Sequence, residues 1–433
     1  MSNRETIEDL RSWLTWLEEE EHLAHVTERV HWDQELSGIV RRTYDIYGDA
    51  SPAMLFENIE DYEAPKPNKL FIGQFRSYSR ICMMLGLDPV ESTRRDIGLV
   101  IKERLNTLVP PVTATEAPVH DVVDTGDAIN VLKFPVPYFH DRDGGRYVGT
   151  MHAVITKDPD SGWVNLGMYR VMVHGPDELG IYFRPGRQHI GLHSLKYLER
   201  NEPMPVAIAI GIDPRMTFVA AGNIPATTSE YDIAGSLAGH PMEVVQGKTV
   251  DLPVPAKAAI VIEGFVHPDD WKVEGPFGEY PGYYGEVPDP SPVMRVTAVT
   301  HREDPIFQAS LEGHPVNETH IIGSLMKAGT LWNAFEYNGV PGVKDIACLP
   351  ESAGGHLVVS ITPTVPAHAD WIATVAWSHS AVIWSYKHIF VVDDDIDPWD
   401  FGQVSWAMAW RVKASEDIKI WKNQRGSPID PRQ

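Results

Sequence analysis

Cysteine is nearly absent from this chain. Only Cys82 and Cys348 occur among 433 residues, too few for a disulfide framework or a thiolate-rich metal site. Apolar runs are short: none reaches the roughly 20 residues that a membrane-spanning helix needs. The N-terminus lacks the basic, apolar, small-residue progression of a secretion signal. Basic residues are scarce beside acidic ones, 37 against 60, for a formal charge of −23. Such an acidic surface repels nucleic-acid backbones and anionic membranes, and an anionic ligand needs local Arg, Lys or metal to hold it. Walker loops, strand-linked Gly-x-Gly-x-x-Gly, His-Glu-x-x-His and Gly-x-Ser-x-Gly are all missing. The common nucleotide, zinc-protease and serine-hydrolase readings fall with them. A reduced, cytoplasmic protein of two or three domains is expected.

The pattern along the chain divides it in three. Residues 6–23 read as an amphipathic helix capped by Thr6, with Ile7, Leu10, Leu14 and Leu17 on one stripe. Mixed elements follow to about residue 108, and 109–118 has the composition of a linker. From 119 to about 312 the pattern is β, with strands expected at 147–156, 163–173, 205–212, 216–221 and 257–266. One helix is expected there over 187–200, with Leu192, Leu195 and Leu198 inward. A long helix then runs from Asn317 to Asn338-Gly339. Strand 355–361, helix 368–384, strand 387–392 and helix 399–412 follow it. That order favours a small parallel sheet.

The stretch Glu274-Gly-Pro-Phe-Gly-Glu-Tyr280 carries the densest chemical signal. It sets two carboxylates around a turn that Gly275, Pro276 and Gly278 make sharp, with Phe277 as an apolar wall. Paired carboxylates in a shielded pocket are the usual means of keeping one acid protonated at neutral pH. A solvated surface loop is the plain alternative.

Other candidates are weaker singly. Trp163-Val-Asn-Leu-Gly-Met-Tyr-Arg170 is an expected strand, on which Asn165 and Arg170 point to opposite faces unless Gly167 hosts a bulge. Asn165, His189 and Glu230 offer two oxygen donors and one nitrogen donor, a set suited to Mg²⁺ or Mn²⁺. Asp393 to Asp397, at the end of a buried-looking strand, read either as a Mg²⁺ site or as helix caps. Asn317 and His320 read either as a helix N-cap or as part of a substrate pocket.

Taken in order, Asn-Leu-Gly-Met-Tyr-Arg at 165–170, Gln188-His189, Glu230, Glu-Gly-Pro-Phe-Gly-Glu at 274–279 and Lys387 through Asp397 resemble the UbiD-type decarboxylases, which use prenylated FMN. The resemblance implies an α/β (α+β) multidomain fold. Its parts would be an N-terminal α/β domain (1–115), a central split β-barrel holding the flavin (116–315) and a C-terminal α/β dimerisation domain (316–433). It implies Arg170, Glu274 and Glu279 as the catalytic network, with Glu279 as proton donor. Asn165, His189 and Glu230 would bind Mn²⁺ or Mg²⁺ against the cofactor phosphate. K⁺ would lie near Trp163 and the 220–222 turn. Met168, Tyr169, Gln188 and Lys387 would also contact the cofactor, and Tyr280 would line the substrate pocket.

The implied reaction is reversible decarboxylation of a small aromatic acid, releasing CO₂. Hydroxybenzoate-, indole-, pyrrole-, furan- and phenazine-type carboxylates all stay open. The family depends on a flavin prenyltransferase for its cofactor and forms homodimers or higher homo-oligomers. Family chains commonly continue beyond Gly426-Ser-Pro-Ile-Asp-Pro431 into a further tail, whereas this sequence stops at Gln433. A carboxylase, a two-carboxylate hydrolase and a non-catalytic flavin-binding protein are the rival readings.

Overall fold

The computed structural model describes residues 6–63, 67–222, 224–285, 289–379, 386–423, 429–430 and 432. The first helix spans Leu10–Glu19 and is shorter than its apolar stripe suggested. Its cap is Asp9, not Thr6: the Asp9 carboxylate accepts the Ser12 N–H at 2.8 Å, and its other oxygen takes Arg302 at 2.7 Å. Ile7, Leu10, Leu14 and Leu17 are buried as the stripe requires, together with Trp13.

A four-stranded sheet follows in the order Leu23–Val26, Ala53–Phe56, Lys69–Ile72 and Ile306–Gln308. The last strand comes from more than two hundred residues along the chain and pairs in parallel with Lys69–Ile72.

The centre is a nine-stranded sheet that curls into a half-barrel. Strand Met204–Ile210 explains why it is buried on both faces. Ala207 and Ala209 enter one apolar core while Val206, Ile208 and Ile210 enter the other. Each fully buried Val or Ile contributes about 1.5–3 kcal/mol.

Two expectations fail here. Residues 216–221 are not a strand; Pro214–Ala220 is a helix, started by the Asp213 carboxylate accepting the Arg215 N–H at 2.8 Å. All seven of its residues are buried, so no periodicity betrayed it. The helix Gln188–Arg200 forms, but Leu192, Leu195 and Leu198 face outward at 40, 37 and 41% exposure. Its inner face carries Ile190, His193, Ser194 and Tyr197, because Trp163 packs edge-on against His189 and His193.

The long helix Glu318–Tyr337 is buried on almost every side and joins the central sheet to the C-terminal part. Asn317 caps its start in a reciprocal arrangement with His320, and Gly339 follows its end at φ +68°. The C-terminal sheet has the order Val343–Cys348, His356–Ile361, His388–Asp393. Only the last pair is parallel; the first strand, which the pattern did not announce, runs antiparallel. Helices His368–His379 and Phe401–Arg411 flank it, and the expected helical residues 380–384 lie outside the described residues. No described helix is long and apolar enough to cross a membrane.

Candidate functional site

One cavity of about 300 Å³ is lined by the central sheet, the helix starting at Gln188 and the long helix. That volume lies at the lower end of the small-molecule range. At one end the strand Ile260–Glu274 delivers Glu274 and then breaks. Gly275, at φ +87°, permits the turn. The Asp143 carboxylate accepts the Gly278 N–H at 2.9 Å, and the Pro276 carbonyl accepts the Gly144 N–H at 2.7 Å. The turn thus presents Glu279 to the cavity.

Arg170 arrives on another break. The expected strand 163–173 is two strands, Val164–Gly167 and Val171–Gly175. The residues between them escape period-2 parity, so Asn165 and Arg170 both line the cavity. Gly167 is required there, because a Cβ would lie 2.4 Å from the Tyr169 ring.

The three charged groups meet unequally. Arg170 donates to Glu274 twice, Nε at 3.0 Å and Nη2 at 2.5 Å, and its Nη1 donates to Glu279. Tyr147 adds a third donor to Glu274 at 2.8 Å. The Tyr182 ring lies 3.8 Å beneath the guanidinium. Glu274 is sealed behind Arg170 with its side chain 0% exposed; the Glu279 side chain is 11% exposed and lines the cavity. Burial raises the Glu279 pKa; Arg170 opposes that and Glu274 adds to it. For Arg170, burial works against the charge, but Glu279 and Glu274 overcome it and raise its pKa.

A second group forms along the wall. His189 Nδ1 lies 3.1 Å from Asn165 Oδ1 and 3.8 Å from Glu230 Oε1. Ligands of Mg²⁺ at about 2.0–2.1 Å sit about 3 Å apart when adjacent, so this donor set fits one hard cation. His189 Nε2 is buried with no hydrogen-bond partner. The other Glu230 oxygen accepts the Leu166 N–H at 2.7 Å, and burial raises the Glu230 pKa. Beside this group the Ala220 carbonyl accepts the Met168 N–H at 3.0 Å, and Ala221 and Gly222 line the cavity. Met168, Tyr169 and Gln188 line it too.

The remaining candidates separate. Tyr280 and His320 line the cavity; Asn317 does not, its side chain being spent on the helix cap. His320 has no ring nitrogen to spare: Nε2 donates to the Tyr280 carbonyl at 2.6 Å and Nδ1 accepts the Asn317 N–H at 2.9 Å. Burial pushes its pKa down to about 3. Lys387 lies outside the cavity lining and pairs with Asp430 at 2.6 Å. Asp393 and Asp395 hold Arg411, and Asp397 caps Trp399 N, so these aspartates do not converge on one point. Among the described residues no three His, Cys, Asp or Glu side chains cluster as a metal site.

Sequence reasoning missed Glu312 and Lys327, which both line the cavity. Glu312 takes hydroxyls from Thr319 at 2.7 Å and Ser310 at 3.1 Å, and burial raises its pKa to about 7. A carboxylate before the Gly-His-Pro turn and a single lysine within the apolar run 321–331 were the available signals.

Three matches to known proteins cover the chain. Residues 14–97, 111–315 and 320–433 match the UbiD family's 3-octaprenyl-4-hydroxybenzoate carboxy-lyase N-terminal, Rift-related and C-terminal domains. The pyrrole-2-carboxylic acid decarboxylase of Pseudomonas aeruginosa is 31% identical over 98% of this chain and 87% of its own. An evolved dimeric form of the UbiD-class enzyme HmfF from Pelotomaculum thermopropionicum, solved with prFMN, superposes with a TM-score of 0.87 at 30% identity, covering 97% and 93% of the two chains. The closed form of Sedimentibacter hydroxybenzoicus vanillic acid decarboxylase gives 0.89 at 30% identity over 99% and 90%.

Proposed function

The chain belongs to the UbiD carboxy-lyase family, and on that premise we propose that it decarboxylates a small aromatic or heteroaromatic acid with Glu279 as the proton donor. Pyrrole- and hydroxybenzoate-type acids are the favoured rings, in keeping with the pyrrole-2-carboxylic acid and vanillic acid decarboxylases above. Prenylated FMN, when bound, supplies the electron sink that no side chain offers for the pair left on the ring carbon. Everything else falls to the chain. Arg170 fixes the two carboxylates relative to each other. Glu274, with three donors on it, anchors the guanidinium; Glu279, with one, keeps a free edge toward the ring. Its raised pKa favours the protonated form, from which it would release a proton to carbon as CO₂ departs.

Asn165, His189 and Glu230 would hold Mn²⁺ or Mg²⁺ against the cofactor phosphate, with K⁺ by the 220–222 turn. The domain boundaries near 115 and 315 belong to the same proposal. So does a homodimer or larger assembly through the C-terminal part, supported by exposed Phe401, Trp406, Trp410, Ile420 and Trp421.

The observation that carries the reading is the asymmetry of Glu274 and Glu279 about one arginine. Glu279→Gln, co-expressed with a flavin prenyltransferase, should bind the flavin normally by absorbance and mass. Its CO₂ release should fall by about 10²–10⁴-fold. Wild-type turnover in that variant would remove Glu279 from the role.

A further inference from the structure

An ammonium taken out of water without a counter-charge is strongly disfavoured, and a cavity wall that keeps one implies an anion in the cavity. Lys327 is such a group. It sits on the long helix Glu318–Tyr337, whose face His320, Gly323, Ser324 and Lys327 lines the cavity. The residue is 9% exposed. Its ammonium lies over the Tyr386 ring at 5.7 Å, and among the described residues no carboxylate is within ion-pair distance.

The carboxylates of the same cavity are committed elsewhere: Glu279 to Arg170, Glu230 to His189 and Leu166, Glu312 to Ser310 and Thr319. Opposite the ammonium the described chain presents a glycine. Gly354, at φ +74°, comes so close that a Cβ there would lie 2.9 Å from Lys327 Nζ. The next residue, Gly355, accepts the backbone N–H of Lys387 at 3.0 Å, while the Lys387 ammonium turns away to Asp430. Among the described residues, Lys327 is therefore the cation that this corner offers to the cavity. Burial lowers its pKa, a cost that a bound anion would offset.

We propose that Lys327 forms an oxyanion subsite, taking either the phosphate end of the flavin or the acidic group of the aromatic substrate. The two ligands come from the carboxy-lyase reading above; the subsite itself rests on the orphaned charge. The close approach of the Gly354 backbone, with no side chain to fill the corner, favours the phosphate.

Lys327→Met removes the charge at similar volume, and Lys327→Arg keeps it. Ligand-free protein is titrated with FMN, riboflavin and benzoate, following flavin fluorescence and melting temperature. FMN and riboflavin differ only in the phosphate. A phosphate subsite predicts FMN affinity about 10- to 100-fold weaker in Lys327→Met, unchanged riboflavin affinity, and recovery in Lys327→Arg. A substrate subsite predicts unchanged binding of both flavins and the same loss for benzoate. In either case ligand-free Lys327→Met melts no lower than wild type, since an unpaired buried charge has gone. Wild-type affinity of Lys327→Met for both FMN and benzoate overturns the proposal, as does a clearly lower melting temperature, the mark of a structural lysine. Failure of the wild type to bind either flavin counts against the cofactor reading instead. The subsite is then judged with inorganic phosphate: stabilisation of wild type but not Lys327→Met sustains it, and equal responses overturn it.

Discussion

Two buried cations face one cavity, and their surroundings are opposite. Arg170 has two carboxylates, a phenol-backed anchor and an aromatic plate beneath it. Lys327 has an aromatic ring and no carboxylate among the described residues. The first arrangement is complete before any ligand arrives, as acid–base machinery must be if its geometry is to be held through turnover. The second is incomplete, as a binding subsite is until its ligand supplies the missing charge. On the proposed reading, charge satisfaction separates the reacting end of the cavity from its holding end.

The contrast can be broken most severely at Arg170. Arg170→Met leaves Glu274 and Glu279 buried without their cation, so urea unfolding should show a loss of about 3–5 kcal/mol. Decarboxylation should vanish with it. A variant as stable as wild type would mean that the network is not the pre-built unit described here. Tyr147→Phe is a milder cut, removing one donor from Glu274 while Arg170 stays. About 1.5 kcal/mol of stability should go, with turnover reduced by about tenfold and flavin binding intact. Equal turnover would show that Arg170 alone orients Glu274.

The smallest effect concerns Glu312, whose charged neighbours include Glu279. Burial raises the Glu312 pKa to about 7, above its ordinary 4.5, so the folded protein binds that proton more tightly than the unfolded chain. The associated stability is full below the ordinary value and declines as pH rises toward about 7. Above that, a charged Glu312 adds a repulsion toward an anionic acid, raising KM by about two- to fivefold. Glu312→Gln should flatten both the melting-temperature and the KM profiles. Profiles that stay parallel to wild type would exclude Glu312 as their source.

Much of the site could be read in advance where chemistry sits in a compact motif. Glu274 and Glu279 announced themselves through the turn between them. Asn165, His189 and Glu230 were recognisable as one donor set from the order of their motifs. Local signals misled where tertiary packing chose among equal options. Leu192, Leu195 and Leu198 form as good a stripe as any, yet Trp163 turned the helix so that His193 and Tyr197 went inside. Asn317 and His320 could be read as a helix cap or as substrate contacts; packing made them the cap, each accepting the other's backbone N–H, with His320 still at the cavity wall. The helix Pro214–Ala220 was invisible because full burial erases periodicity.

From the residues alone, the family and the reaction class could be read, because caps, turns and motif order are encoded over a few neighbouring positions. What only the folded chain decided is which charges are matched. Arg170 and Glu274 lie 104 residues apart, and any of 60 acidic side chains could have been brought to Lys327. Coulombic pairing depends on distance in space, and that distance exists only after the sheets and the long helix have packed.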